Sequence, residues 1–154
     1  MKRRILFVCL GNICRSPIAE AVCRSCVEDA GLDIEVDSAG VEAWHSGNPP
    51  DQRASLAART RGFSLLGQTA RRVSRDDFSK FDLIVALDQS VLAELEDMRP
   101  PETRASLILF SEMVEDSSNK DVPDPYYTGK FNPVIDILEE GMPRLVSQFV
   151  KVPQ

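Results

Sequence analysis

Ile5-Leu6-Phe7-Val8 is an unbroken apolar run after Lys2-Arg3-Arg4. A short run without polar alternation reads as a strand buried on both faces, here 4–9. Gly11 and Asn12 end it, and Pro17 opens the next element, proline being favoured in a helix's first turn. Ile18, Val22 and Cys26 then recur at i, i+4, which predicts a helix from 17 to about 30, stopped by Gly31. Ile34 to Asp37 reads as a second strand, 41–50 as a Gly- and Pro-rich loop, and about Pro50 to Arg61 as a helix. Asp82 to Leu87 is another buried strand, Asp88 a helix cap, and Ser106 to Phe110 a fourth strand. The stretch 111–128 is a long loop, and such loops in compact domains are usually functional. A last helix over 130–149 carries Phe131, Ile135, Leu138, Met142, Leu145 and Phe149 in one stripe, with Gly141 and Pro143 predicting a kink or break. Strands alternating with helices predict an α/β fold: a single-domain, open, four-stranded parallel sheet with helices on both faces. Ligands of such sheets bind beyond the strands' C-terminal ends, where Cys9 falls.

Composition adds bounds. The 154 residues, 43% hydrophobic and 27% charged, suit one globular domain of 1–154. A formal charge of −6 argues against non-specific nucleic-acid binding, which needs a basic face. Met1 to Leu10 looks like the start of a signal peptide, but its apolar run is shorter than the roughly 7 to 15 residues of an h-region. No segment approaches the ~18 apolar residues of a membrane span. The expectation is a cytoplasmic protein with no membrane or nucleic-acid partner. All 4 cysteines lie between positions 9 and 26, which argues against a disulfide framework. Cys23 and Cys26 form a C-x-x-C pair, so a zinc- or redox-binding module built from Cys9, Cys14, Cys23 and Cys26 is the rival class. The helical spacing favours reading this pair as buried, inert thiols.

The chemistry concentrates in Cys9-Leu10-Gly11-Asn12-Ile13-Cys14-Arg15-Ser16. With 4 Cys and 13 Arg, a Cys-x5-Arg spacing arises by chance in roughly one such chain in three, so context decides. Here a strand end, a tight loop and a helix start place backbone N–H groups and a helix N-terminus around one point, which makes an anion cradle. Such a field favours the thiolate of a cysteine within it. Gly11 and Asn12 are residue types that tolerate positive φ. Arg15 supplies a planar fork for two phosphate oxygens. The Ser16 hydroxyl is placed to reach the Cys9 sulfur.

Cys9 to Pro17 resembles the signature loop of the low-molecular-weight protein tyrosine phosphatases. Asp37-Ser-Ala-Gly40, Trp44-His45, Gly47 to Arg53, Ala70 to Phe78, Phe81 to Asp88 and Asp124-Pro125-Tyr126-Tyr127 resemble that family's further segments, in its order. The resemblance implies a phosphotyrosine phosphatase working through a phosphocysteine, without cofactor or metal. Cys9 is then the nucleophile, Arg15 the phosphate clamp, and Leu10 to Cys14 with Ser16 the phosphate-binding loop. Asn12 props that loop. Ser38 either bonds to Asn12 or is a simple turn residue. The leaving group needs a proton, and Asp124, bracketed by Pro123 and Pro125, is the candidate general acid, with Asp121 its nearest rival. Trp44, Tyr126 and Tyr127 are candidate cleft walls, with a core position open for Tyr127, and aromatic walls reward a phenyl ring.

Arginine phosphatases related to this family carry threonine where Ile13 stands, so Ile13 favours the tyrosine enzymes. Arsenate reductases on the same fold use cysteines downstream, and this chain has none after Cys26. The resemblance also implies that Cys14 could trap oxidised Cys9 as a disulfide. Val41 and Val91 depart from the family pattern, and Val91 puts the hydrogen-bond network around Asp88 in doubt. His45, the single histidine, reads as a loop residue or as one that supports the site from behind, without metal-binding companions. Phosphotyrosine proteins are the expected partners, and the chain itself is expected to be a monomer or weakly self-associating.

Overall fold

A computed structural model describes residues 2–115 and 121–152. The apolar run at the front forms β1 (Arg3–Cys9), buried from Ile5 onward. It is followed by α1 (Arg15–Asp29) and β2 (Ile34–Gly40). Then come α2 (Gln52–Thr60), α3 (Asp77–Lys80), β3 (Leu83–Ala86), α4 (Gln89–Met98), β4 (Ser106–Leu109) and α5 (Phe131–Lys151). The four strands are parallel in the order β2-β1-β3-β4, the predicted open sheet. β1 is central, with Cys9 opposite Gly40 on β2.

Alternate side chains of β1 enter two cores. Ile5, Phe7 and Cys9 face α1, α2 and α5, while Leu6 and Val8 face α3 and α4. Helices therefore cover both faces, as strands without polar alternation require. Gly31, at φ 67°, terminates α1: its N–H donates to Glu28 O and that of Leu32 to Val27 O, both at 3.0 Å. Asp51 and Asp88 cap α2 and α4, accepting from the N–H groups of Arg53 and Val91.

Three expectations change. The fourth strand ends at Leu109, because Phe110 starts a 3-10 turn, Phe110–Met113. The short α3 had no periodicity to announce it. And α5 runs unbroken through Gly141 and Pro143. An interior proline costs about 3 kcal/mol, which the buried stripe from Val134 to Phe149 offsets at roughly 1.5–3 kcal/mol per side chain. Gly141 is there for closeness: a Cβ on it would lie 2.8 Å from the Phe110 ring. Residues 116–120 of the predicted long loop lie outside the described residues.

Candidate active site

β1 delivers Cys9 to the C-terminal edge of the sheet, 3% exposed. The chain then doubles back through Asn12, at φ 60°, a conformation asparagine tolerates better than most residues. That turn aims the Asn12 N–H at Cys9 Sγ, 3.3 Å away. Gly11, read as a second positive-φ residue, has an ordinary φ; its requirement is steric, since a Cβ there would meet the His45 ring at 3.0 Å.

The Asn12 side chain organises the loop. Its Nδ2 donates to Ser16 Oγ at 2.8 Å and to Ser38 Oγ at 3.0 Å, and its Oδ1 accepts from the Arg71 N–H at 3.0 Å. Ser16 Oγ lies 3.0 Å from Cys9 Sγ and also reaches Ala39 O at 3.3 Å. Ser16 accepts from Asn12, so its one proton is shared between Ala39 O and the Cys9 sulfur, the nearer of the two. Ser38 belongs to β2 rather than to a turn, and donates to buried Glu20 Oε1 at 2.7 Å. Burial pushes the Glu20 carboxyl above its ordinary value, against the opposing pull of Ser38 and Arg24.

Arg15 is 3% exposed. Its Nη1 donates to Asp88 Oδ2 at 2.7 Å and to Val122 O at 3.0 Å, and its Nη2 lies 3.6 Å from Asp124 Oδ2. Burial opposes its charge, but the Cys9, Asp88 and Asp124 charges and the Asp88 bond outweigh burial and raise its pKa. The Asp88 network survives valine at 91, because Asp88 Oδ1 takes its second bond from the Val91 backbone N–H at 2.7 Å.

Asp124 faces the cleft from the opposite rim, its side chain 40% exposed, with Oδ1 accepting the Tyr126 N–H at 3.0 Å. Asp121 is spent elsewhere, accepting the Gln89 N–H at the start of α4 at 2.7 Å. The cleft, about 150 Å³, is lined by Cys9, Leu10, Gly11, Ile13, Cys14 and Arg15 below and by Trp44, His45, Asp124, Tyr126 and Tyr127 around the rim. Tyr127 is 92% exposed, which removes its core alternative, and Trp44 is 68% exposed. Tyr126 and Tyr127 meet edge-on at 4.9 Å.

The remaining thiols divide. Burial, then Asp51, Cys9 and Asp124, pushes Cys14 up to about 12. Cys23 is fully buried and its pKa is raised, chiefly by burial. Cys26, expected to be buried, is half-buried, because α1 emerges into solvent over its last turns. Among the described residues no group of three or more His, Cys, Asp or Glu is arranged to hold a metal. Nor is any described helix long and apolar enough to cross a membrane.

The family model for low molecular weight phosphotyrosine protein phosphatases matches residues 4–153. This chain belongs to that family. It is 42% identical to the low molecular weight protein-tyrosine-phosphatase YfkJ of Bacillus subtilis over 97% of both chains. The YfkJ crystal structure superposes with a TM-score of 0.93 at 41% identity, covering 100% of this chain and 98% of the other. A low molecular weight phosphotyrosine protein phosphatase of Schizosaccharomyces pombe is 46% identical over 82% of each chain. The structure of DARP, a Drosophila arginine phosphatase, matches with a TM-score of 0.89 at 33% identity, covering 97% and 98%.

Several contributors to this phosphatase-family site escaped residue-level reading. Gly40 lies where a Cβ would be 2.8 Å from Leu10 O, 2.9 Å from Gly11 C and 3.0 Å from Asn12 N, so only glycine lets the loop rest on β2. Glu20 carried one signal, a charge four residues after Ser16 on a helix buried on most sides. His45, read as a loop residue or one behind the site, lines the cleft itself. Val122 O and the Arg71 N–H are backbone groups, which no side-chain pattern reveals.

Proposed function

We propose that the protein is a phosphotyrosine phosphatase acting through a phosphocysteine, with Cys9 as nucleophile, Arg15 as phosphate clamp and Asp124 as general acid. The observation that carries this reading is Cys9 Sγ held between the Asn12 N–H and Ser16 Oγ, with Arg15 beside it and Asp124 across the cleft. The Asn12 N–H donating to the sulfur, with the Ser16 hydroxyl in reach of it, suits a thiolate that attacks phosphorus in line. The phosphoryl oxygens take the Arg15 fork and loop N–H groups, which meet the charge that develops in the transition state. Asp124 gives its proton to the departing phenolate and then takes one from the water that hydrolyses the phosphocysteine. Trp44 and Tyr126 flank the phenyl ring, and phosphotyrosine proteins of the cytoplasm are the substrates.

The test is hydrolysis of p-nitrophenyl phosphate in EDTA by the wild type, Cys9→Ser and Asp124→Asn, followed by phosphotyrosine and phosphoarginine peptides. Turnover in chelator that vanishes in Cys9→Ser, falls by about 10²-fold or more in Asp124→Asn and favours phosphotyrosine is expected. A preference for phosphoarginine, the activity named for DARP, would replace the substrate class while keeping the nucleophile. Activity surviving in Cys9→Ser would remove the mechanism.

A further inference from the structure

Arg53 stands on the first turn of α2, half-exposed, between the two loops that form the cleft. Its Nε and Nη2 grip the Asp51 carboxylate at 3.1 and 3.0 Å. The same Nη2 donates to the carbonyl oxygen of Tyr126 at 3.0 Å, and the guanidinium lies 5.5 Å from the Tyr126 ring centroid and 5.4 Å from that of Phe131. Each end of this grip leads to the chemistry. The Asp51 N–H donates to Ile13 O at 2.9 Å, which ties the fork to the phosphate-binding loop. The Tyr126 N–H donates to Asp124 Oδ1 at 3.0 Å, so the residue whose carbonyl Arg53 holds also orients the acid. Asp124 Oδ2 returns to the loop at Arg15, 3.6 Å away. The circuit from Ile13 through Asp51, Arg53, Tyr126, Asp124 and Arg15 closes on itself.

Resting on the phosphatase reading, we infer that Arg53 is a positioning residue for the general acid, clamping the Tyr126 carbonyl so that Asp124 is held over Cys9 at the leaving-group side. An exposed ion pair adds little stability, so a fork in this place is better explained by geometry than by holding the fold together. The fork persists at working pH: hydrogen bonds from Arg53 keep the Asp51 carboxyl below its ordinary range. Lysine has no planar fork and cannot grip Asp51 at two points while reaching Tyr126. A misplaced acid fails only where a proton is needed, and that separates this role from phosphate binding or general support.

The experiment measures kcat/KM for dinitrophenyl, p-nitrophenyl and phenyl phosphate in the wild type, Arg53→Met, Arg53→Lys, Asp124→Asn and the Arg53→Met/Asp124→Asn double variant. Dinitrophenolate leaves without protonation, whereas phenolate needs the acid. Arg53→Met is expected to lose about tenfold or more on phenyl phosphate and less than about threefold on dinitrophenyl phosphate, with Arg53→Lys close to it. Added to Asp124→Asn, Arg53→Met should cost nothing further. A thermal midpoint within about 2 °C of the wild type confirms that the variants fold. An equal loss on all three esters, or a full multiplicative loss in the double variant, overturns the inference. A wild type inactive on every ester overturns the phosphatase reading itself, and that result is read before any Arg53 variant is measured.

Discussion

Between Cys9 and Ser16 the chain is buried almost throughout, whereas between Pro123 and Lys130 only Pro125 is buried. The first segment is held from three directions: by β2 through Ser38 and Gly40, by α1 through Ser16, and by residue 71 through Asn12. The second is held by Arg53 at Tyr126, by Arg15 beside Asp124 and Val122, and by its own prolines. A cradle for three phosphoryl oxygens must be fixed before substrate arrives, since any reorganisation would add to the barrier. A loop that donates a proton to a leaving group must stay open enough to admit that group. The two loops show how one site divides between a preorganised floor and an accessible rim.

The contrast breaks hardest at Asn12. Asn12→Ala strips donors from two serines and an acceptor from the Arg71 N–H, and leaves a residue ill suited to φ 60°. Losses of about 2–4 kcal/mol in stability and 10²-fold or more in kcat are expected, read by urea unfolding and p-nitrophenyl phosphate turnover. Asp124→Asn should cut turnover comparably yet stay within about 0.5 kcal/mol of wild-type stability, as surface substitutions do. Equal destabilisation by the two would erase the distinction between floor and rim.

Gly40→Ala probes the floor from β2. Its Cβ must push against the backbone of Leu10, Gly11 and Asn12, so a cost of about 1–3 kcal/mol and a clear fall in kcat are expected. Glu20→Gln probes it from beneath, through pH. The folded-state pKa of Glu20 is raised above its ordinary 4.5, chiefly by burial. The stability that goes with the neutral carboxyl is therefore fully present below about 4.5 and is lost as pH rises through the folded value. Glu20→Gln should accordingly gain on the wild type as pH climbs through that window, measured as the difference in thermal midpoint. A difference that is flat with pH would remove the burial argument.

At the small end, Tyr127→Ala should change kcat/KM for p-nitrophenyl phosphate by less than about threefold, because a ring 92% exposed contributes little packing. Trp44→Ala and Tyr126→Ala should cost more, each read in KM.

Much of this was legible in the residues themselves. The strand, the tight loop and the helix start lie within one short segment, and Ser16 reaches Cys9 as its spacing suggested. Ser38 bonds to Asn12, one of the two roles left open for it. The bracket of Pro123 and Pro125 favoured Asp124 over Asp121 in the same loop, but did not show the partner that each carboxylate meets. Folding separates them: Asp121 meets the N-terminus of α4 and Asp124 meets Arg15. Of the kink or break expected at Gly141 and Pro143, the break does not occur, because propensity is local and burial along the rest of α5 outweighs it.

The amino-acid sequence by itself determined the parallel α/β order of elements, the two-sided burial of β1 and the local chemistry of Cys9, Asn12, Arg15 and Ser16. These depend on periodicity and on neighbours a few residues apart, which the chain carries wherever it goes. Only the tertiary structure decided that Gly40 must lack a side chain, that Glu20 anchors Ser38, that His45 enters the cleft and that Arg53 bridges Asp51 to Tyr126. Those contacts reach from Glu20 and Ser38, 18 positions apart, to Arg53 and Tyr126, 73 apart, and they exist only once strand register and helix packing bring the segments together.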